Sequence, residues 1–305
     1  MDEFLENLIN ECRKYTDMGK VATYIPELAK VDPNQLGICV IGTNGKIFRA
    51  GQHQNRFTIQ SVVKPIMLLL ALADNGEEVI RSKVGVEATG KPFDAINMNA
   101  GKLESKHVNP MVNMGAIAVA SLIKGKDGNE RFQRLLEFTR VLAGNPELDI
   151  NEDVYLSEKR TGNKNRALGY LLKNYGLIEG DVDEVLDTYF KACSIHINCE
   201  ELARIGYCLC SHGKLWKSDE RVFEARYANY VNAILTTCGM YDGSGEFAIN
   251  VGIPAKSGVG GGIMGVVPTR MGIGIFSPGL DDKGNSYAGI RVLEKFSKEM
   301  FLSIF

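Results

Sequence analysis

The chain has 305 residues, 45% of them hydrophobic and 24% charged, with a formal net charge of -2. That is enough apolar material for a large core, and too little net charge for nucleic acid or an anionic membrane to be the main partner. No run approaches the roughly 18 uninterrupted apolar residues of a membrane span, and the opening residues 1–8 lack the basic and apolar regions of a signal peptide, so a cytoplasmic location is expected.

The first predicted element is an amphipathic helix over residues 2–15, with Phe4, Leu5, Leu8, Ile9 and Cys12 at helical spacing. A strand over residues 36–41, the Asn44-Gly45 turn and a strand over 46–50 read as a hairpin, because Asn-Gly tolerates the positive φ of a tight turn. From Ser61 the pattern turns helical: residues 62–73, 129–143 with Gly144 as a stop, 183–190, 200–210 and 219–235. Strands return at residues 247–253, 262–267 and 271–276. Residues 281–285 form a turn, and 290–304 a closing amphipathic helix. Strands this short do not make two stable sheets. The expectation is an α+β fold, with one antiparallel sheet drawn from both chain ends, flanked by helices, beside a mostly helical subdomain. The division is a single domain over 1–305, with a sheet subdomain of 1–60 and 240–305 and a helical subdomain of 61–239. There is no linker, repeat or low-complexity tract.

The seven cysteines, Cys12, Cys39, Cys193, Cys199, Cys208, Cys210 and Cys238, contain no Cys-x-x-Cys and are expected to be free thiols. Cys208 and Cys210 lie in an apolar segment and are expected in the core. The histidines His53, His107, His196 and His212 carry no metal-ligand spacing and are expected at structural or surface positions.

Two motifs carry chemistry. Ser61-Val62-Val63-Lys64 places a hydroxyl and an amine nearly one turn apart on one helix face. A lysine whose pKa is lowered by burial can take the serine proton, and a helix N-terminus stabilises a developing oxyanion. Read alone, the motif is weak, and its plain reading is a helix cap with a surface lysine. Late in the chain, Lys256-Ser257-Gly258 precedes Val259-Gly260-Gly261-Gly262. A Lys-(Ser/Thr)-Gly strand opposite a Ser-x-x-Lys helix marks penicilloyl-type serine enzymes, and the glycines would let backbone approach a substrate closely. Read alone, it is a Gly-rich turn.

These motifs occur in order with Tyr24-Ile-Pro-Glu-Leu-Ala-Lys30, Asn109-Pro-Met-Val-Asn113, Ser157-Glu158 with Asn165, Tyr189-Phe-Lys-Ala-Cys-Ser-Ile195 and Met240-Tyr241-Asp242-Gly-Ser244-Gly245. With Ser277-Pro-Gly-Leu-Asp281, they run from end to end of the chain. In that combination the sequence resembles the bacterial and mitochondrial glutaminase family, whose fold is β-lactamase/transpeptidase-like. The resemblance implies a single catalytic domain that hydrolyses L-glutamine to L-glutamate and ammonia through an acyl-enzyme on Ser61. Lys64 would activate Ser61, with Tyr189 or Tyr241 shuttling protons. It implies that Tyr24, Ser61, Asn113, Glu158, Asn165, Tyr189, Tyr241 and Val259 bind substrate. It also implies a homo-oligomer, dimer or tetramer, with no cofactor.

Physical chemistry fits that assignment. The ammonium of free glutamine needs a carboxylate, for which Glu158 is suited, and its carboxylate needs donors such as Asn113, Asn165 and tyrosine hydroxyls. The backbone N–H groups of Ser61 and Val259 are suited to the amide carbonyl oxygen. A tyrosine base needs a nearby cation such as Lys64 to work near neutrality. Each residue also has a plainer reading: Tyr24, Tyr189 and Tyr241 as packed aromatics, Asn113 as a cap, Glu158 as a solvated helix-start charge. Asp94 and Ala88 stand where family members usually carry Asn and Pro, Pro65 directly follows Lys64, and Met114 replaces a small residue. The alternatives are a β-lactamase or penicillin-binding-like serine hydrolase, whose Ser-Asp-Asn motif is not recognisable here, and a glutamine-binding sensor without turnover.

Overall fold

The computed structural model describes every residue except 91, 93, 96–102, 106, 107 and 219. His107, and the first residue of the helix expected over 219–235, therefore lie outside the described residues. The N-terminal helix α1 (Asp2–Cys12) buries Leu5, Leu8, Ile9 and Cys12 along one face. Strands β1 (Gly37–Gly42) and β2 (Ile47–Gly51) form the expected hairpin, with Gly45 at φ 79° in the turn. Strands β3 (Phe57–Thr58) and β4 (His196–Ile197) make a separate antiparallel pair. From the far end of the chain come β5 (Ala255–Ser257), β6 (Gly262–Val267) and β7 (Met271–Phe276). The main sheet has the order β2-β1-β7-β6-β5, all antiparallel, so an early hairpin and a late meander share one sheet through β1 and β7.

Alternation along the strands gives the sheet two different faces. Ile38, Val40, Ile263, Ile273 and Ile275 pack with residues of α1 and of the C-terminal helix α11 (Tyr287–Met300), including Leu5, Ile9, Val292 and Phe296. Cys39, Ile41, Met264, Val266 and Phe276 join the larger core on the opposite side. There α8 (Cys199–Cys210) lies directly on the sheet. Glycine makes this approach possible: a Cβ at Gly272 would sit 2.1 Å from the Tyr207 backbone N and 2.3 Å from the Ala203 carbonyl O.

The larger core is completed by α2 (Lys64–Lys83), kinked at Gly76, and by α3 (Asn113–Leu122), α4 (Gly128–Ala143), α5 (Glu152–Thr161), α6 (Asn163–Asn174), α7 (Val182–Cys193) and α9 (Ala225–Cys238). The α4 ends follow the expected signals, with Asp127 capping the Glu130 N–H and Gly144 left-handed at φ 61°.

Three expectations are corrected. Residues 247–253, expected as a strand, fall instead on helix α10 (Ser244–Asn250) and the turn after it. Phe247 is buried but Ile249 is 86% exposed, so the β-branched composition does not mark a two-sided core strand. The strand of this region is the short β5, whose Ala-Lys-Ser sequence carries no β pattern. The helix expected from 219 begins at Ala225, because Arg221 is held in a bridge to Lys214. The closing helix begins at Tyr287, where the Ser286 hydroxyl accepts the Gly289 N–H, and it stops before Phe301, which is left-handed at φ 50°.

Replacing Gly272 by valine forces α8 off the sheet. The Gly272→Val variant should lose stability at or above the upper end of the roughly 1–3 kcal/mol typical of overpacking, measured by urea denaturation. A stability equal to wild type would contradict the close approach.

Candidate active site

Ser61 lies in a 3-10 turn, Gln60–Val63, that leads into α2 at Lys64. Gln60 has φ 49°, a left-handed conformation that is uncommon for a non-glycine residue and sharpens the bend ahead of Ser61. The Gly-rich loop between β5 and β6 presses on this turn. A Cβ at Gly258 would lie 2.8 Å from the Ile59 carbonyl O, and one at Gly260 2.6 Å from the Thr58 carbonyl O. Gly258 and Gly260 therefore let the loop backbone approach the backbone of the Ser61 turn.

Lys64, three residues after Ser61, is 1% exposed. Its ammonium donates to Asn113 Oδ1 at 2.8 Å and to the Met111 carbonyl O at 3.3 Å. Asn113, the first residue of α3, gathers the neighbouring groups: its Oδ1 also accepts from the Tyr189 hydroxyl at 3.3 Å, and its Nδ2 donates to Asn165 Oδ1 at 3.0 Å. Helices α2, α3, α6 and α7 thus converge on one amide side chain.

Ser61 opens into a cavity of about 250 Å³. Tyr24, Asn113, Glu158, Asn165, Tyr189 and Val259 also line it, so seven of the eight substrate-site candidates come together there. The eighth, Tyr241, lines an adjoining depression that shares Tyr24 and Val259. Its phenol lies close to the Ser61 side chain. Tyr24 is 56% exposed overall, and it bridges the two hollows from the outside.

Burial dominates the electrostatics. It lowers Lys64 to about 8, against the pull of Cys193, Glu158 and Asp94. It raises Glu158 to about 8, against a hydrogen bond from Gln60 and the charge of Lys64. Tyr189 and Tyr241 are both pushed up by burial, while the Ser61 contact pulls Tyr241 the other way. Glu158 Oε2 is buried and has no hydrogen-bond partner among the described residues, an arrangement that favours an incoming donor. The cavity therefore presents the Ser61 hydroxyl and an unpartnered oxygen of Glu158, with the Lys64 amine buried behind the Asn113 side chain of its wall.

Some lining groups carried no sequence signal of their own. Gln60 contacts Glu158 from the strained turn. Cys193, one helical turn beyond Tyr189 in α7, lies close to that phenol, and burial holds its thiol well above the usual range. Asp94 and Lys164 form an ion pair at 2.5 Å on the lining. The spacing of Tyr189 and Cys193 on one helix was visible in the sequence; the pairing of Asp94 with Lys164 across 70 residues was not. All seven cysteines are free and buried, and no described histidine lines the cavity. Among the described residues no group of His, Cys, Asp and Glu side chains is arranged to hold a metal ion, and no helix is long and apolar enough to cross a membrane.

The chain matches the glutaminase family model over residues 19–305. It is 52% identical to Glutaminase 2 of Clostridium perfringens and covers 100% of both chains over 305 residues. It is 51% identical to the glutaminase of Clostridium tetani, again covering 100% of both. A probable glutaminase from Bacillus subtilis complexed with 6-diazo-5-oxo-L-norleucine matches with a TM-score of 0.91 at 37% identity, covering 100% of this chain and 97% of that one. A covalent complex between a Bacillus subtilis glutaminase and 5-oxo-L-norleucine, formed by reaction with 6-diazo-5-oxo-L-norleucine, matches with a TM-score of 0.91 at 36% identity, covering 100% and 99%.

The shifted carboxyl has a consequence for stability. Glu158 holds a proton in the folded state that the unfolded chain releases between pH 4.5 and about 8. Its contribution is fully present below pH 4.5 and declines as pH rises to about 8. Denaturant titrations across that window should show wild type losing stability relative to Glu158→Gln as pH increases. Parallel curves for the two proteins would refute the shift.

Proposed function

The chain belongs to the glutaminase family, and we propose that it hydrolyses the side-chain amide of L-glutamine to L-glutamate and ammonia through an ester on Ser61. The observation that carries this reading is the meeting, in one cavity, of Ser61 backed by the buried Lys64 and of the unpartnered carboxyl oxygen of Glu158. Glutamine bridges such a pair of features, with its α-ammonium on Glu158 and its side-chain amide at Ser61.

In this reading Ser61 Oγ attacks the amide carbon while its proton passes to Lys64 or a tyrosine. The tetrahedral oxyanion is held by the backbone N–H groups of Ser61 and Val259. The C–N bond then breaks, and the nitrogen leaves as ammonia after taking a proton back from Tyr241 or Tyr189. Water adds to the ester, gives up a proton by the same route, and releases L-glutamate with Ser61 restored. Asn113, Asn165, Tyr24 and Tyr189 supply donors for the substrate carboxylate. The network that joins Lys64, Asn113, Tyr189 and Asn165 supports a coupled role for them, since displacing one member loosens the others.

The chain acts as one catalytic domain, with the sheet subdomain of 1–60 and 240–305 facing the helical subdomain of 61–239 across the cavity. It acts in the cytoplasm as a homo-oligomer.

The test is ammonia release from L-glutamine. Wild type should turn over, and Ser61→Ala should fall by roughly 10³-fold or more while still binding L-glutamate in a thermal-shift assay. A Ser61→Ala variant that keeps its activity would remove Ser61 from the chemistry. Glutamate binding without wild-type turnover would leave a sensor rather than an enzyme.

A further inference from the structure

A second lysine is buried in β5, which packs against the Ser61 turn, and the reaction described above gives it no task. Lys256, in β5, is 0% exposed and is absent from the cavity lining. Its ammonium donates to the Gly239 carbonyl O at 3.0 Å and to the Ser257 carbonyl O at 2.6 Å. Its Nζ also lies 4.2 Å from the centroid of the Tyr241 ring.

Tyr241 itself is held in an unusual state. Its φ is 52°, left-handed and strained for a bulky residue, and such a conformation persists only where the surroundings over-determine it. Those surroundings are visible on both sides. Ahead of Tyr241, the Gly239 carbonyl accepts from Lys256 Nζ and also from the Ser257 backbone N–H at 3.2 Å. Behind it, the Gly243 N–H closes the turn on the Met240 carbonyl at 2.9 Å. The face of the phenol rests on the Lys256 amine, and its hydroxyl end lies close to Ser61.

We propose that Lys256 is a positioning residue: anchored on the Gly239 and Ser257 carbonyls, its amine fixes the Tyr241 ring so that the phenol stays on Ser61. The inference rests on the Ser61 reading and deepens it by identifying what places the proton-handling tyrosine. A desolvated ammonium on an aromatic face is a stronger contact than the same pair in water. Burial and the Lys64 charge push the Lys256 pKa well down, while its two carbonyl acceptors favour the protonated amine. Lys256 thus acts on the reaction only through Tyr241.

A double-mutant cycle on the full chain tests this, using Lys256→Met, Tyr241→Phe and the double variant, with kcat and KM for ammonia release from L-glutamine. Tyr241→Phe should lower kcat by about 100-fold or more. Lys256→Met should lower kcat by roughly tenfold or more with KM within about threefold. The double variant should be no slower than Tyr241→Phe alone, because the second loss is contained in the first. A double variant that loses the product of the two single losses would overturn the proposal, as would a Lys256→Met change confined to KM. Should Lys256→Met not fold by circular dichroism, Lys256→Gln takes its place in the cycle. Failure of both to fold would assign Lys256 to the fold alone and equally overturn the proposal. A wild type that releases no ammonia sinks the Ser61 reading itself, whereas active wild type with additive losses sinks only the role of Lys256.

Discussion

A lysine amine shut away from water must be given acceptors, and the centre of this molecule is organised around giving them to Lys64. The residue is buried at the first turn of α2, and its ammonium finds the Met111 carbonyl and the Asn113 amide oxygen. Meeting that demand fixes the start of α3, and through Asn113 it fixes Tyr189 on α7 and Asn165 on α6. Helices far apart in sequence are thereby registered on one polar cluster inside an otherwise apolar core. Burial also costs the amine much of its affinity for a proton, which suits a group one turn along the chain from a serine hydroxyl.

The opposite wall is set by the sheet. Strands β1 and β7 bring the two chain ends together, and the loop from β5 to β6 is pressed by its glycines onto the Ser61 turn. Val259, Lys256 and, through Gly239, Tyr241 all derive their places from this contact. The result is a cavity whose walls are hydrogen-bonded to the rest of the protein while one carboxyl oxygen, that of Glu158, is left without a partner among the described residues. Unsatisfied polarity of this kind is costly in the empty protein and is repaid when a ligand with a matching donor arrives.

Much of this was legible in the sequence, for identifiable reasons. The Ser61 and Lys64 pair reads off helical spacing, and the Asn44-Gly45 hairpin off turn chemistry, because both are local. The pairing of early and late strands followed from strand length alone, since short strands at either end needed each other. Glu158, Asn165 and Tyr189 reached the site only through family resemblance; nothing in their own surroundings distinguishes them from capping or packing residues. The residues after Ser244 looked like a strand because of their β-branched composition, yet Ile249 faces solvent from a helix. Strand β5 was signalled only by the Lys256-Ser257-Gly258 motif, because Ala-Lys-Ser has no β pattern, and the carbonyl partners that hold its lysine have no local signature. The Asp94–Lys164 pair and the Cys193 contact are tertiary facts with no local signature.

The central claim is that Ser61 is the atom-donating centre of this cavity. The most direct measurement is peptide mapping by mass spectrometry after treatment with 6-diazo-5-oxo-L-norleucine, an electrophilic relative of glutamine. The account predicts one adduct per chain, located on Ser61, blocked by excess L-glutamate and absent from Ser61→Ala. An adduct on a thiol instead, such as Cys193 in the same cavity, would contradict it.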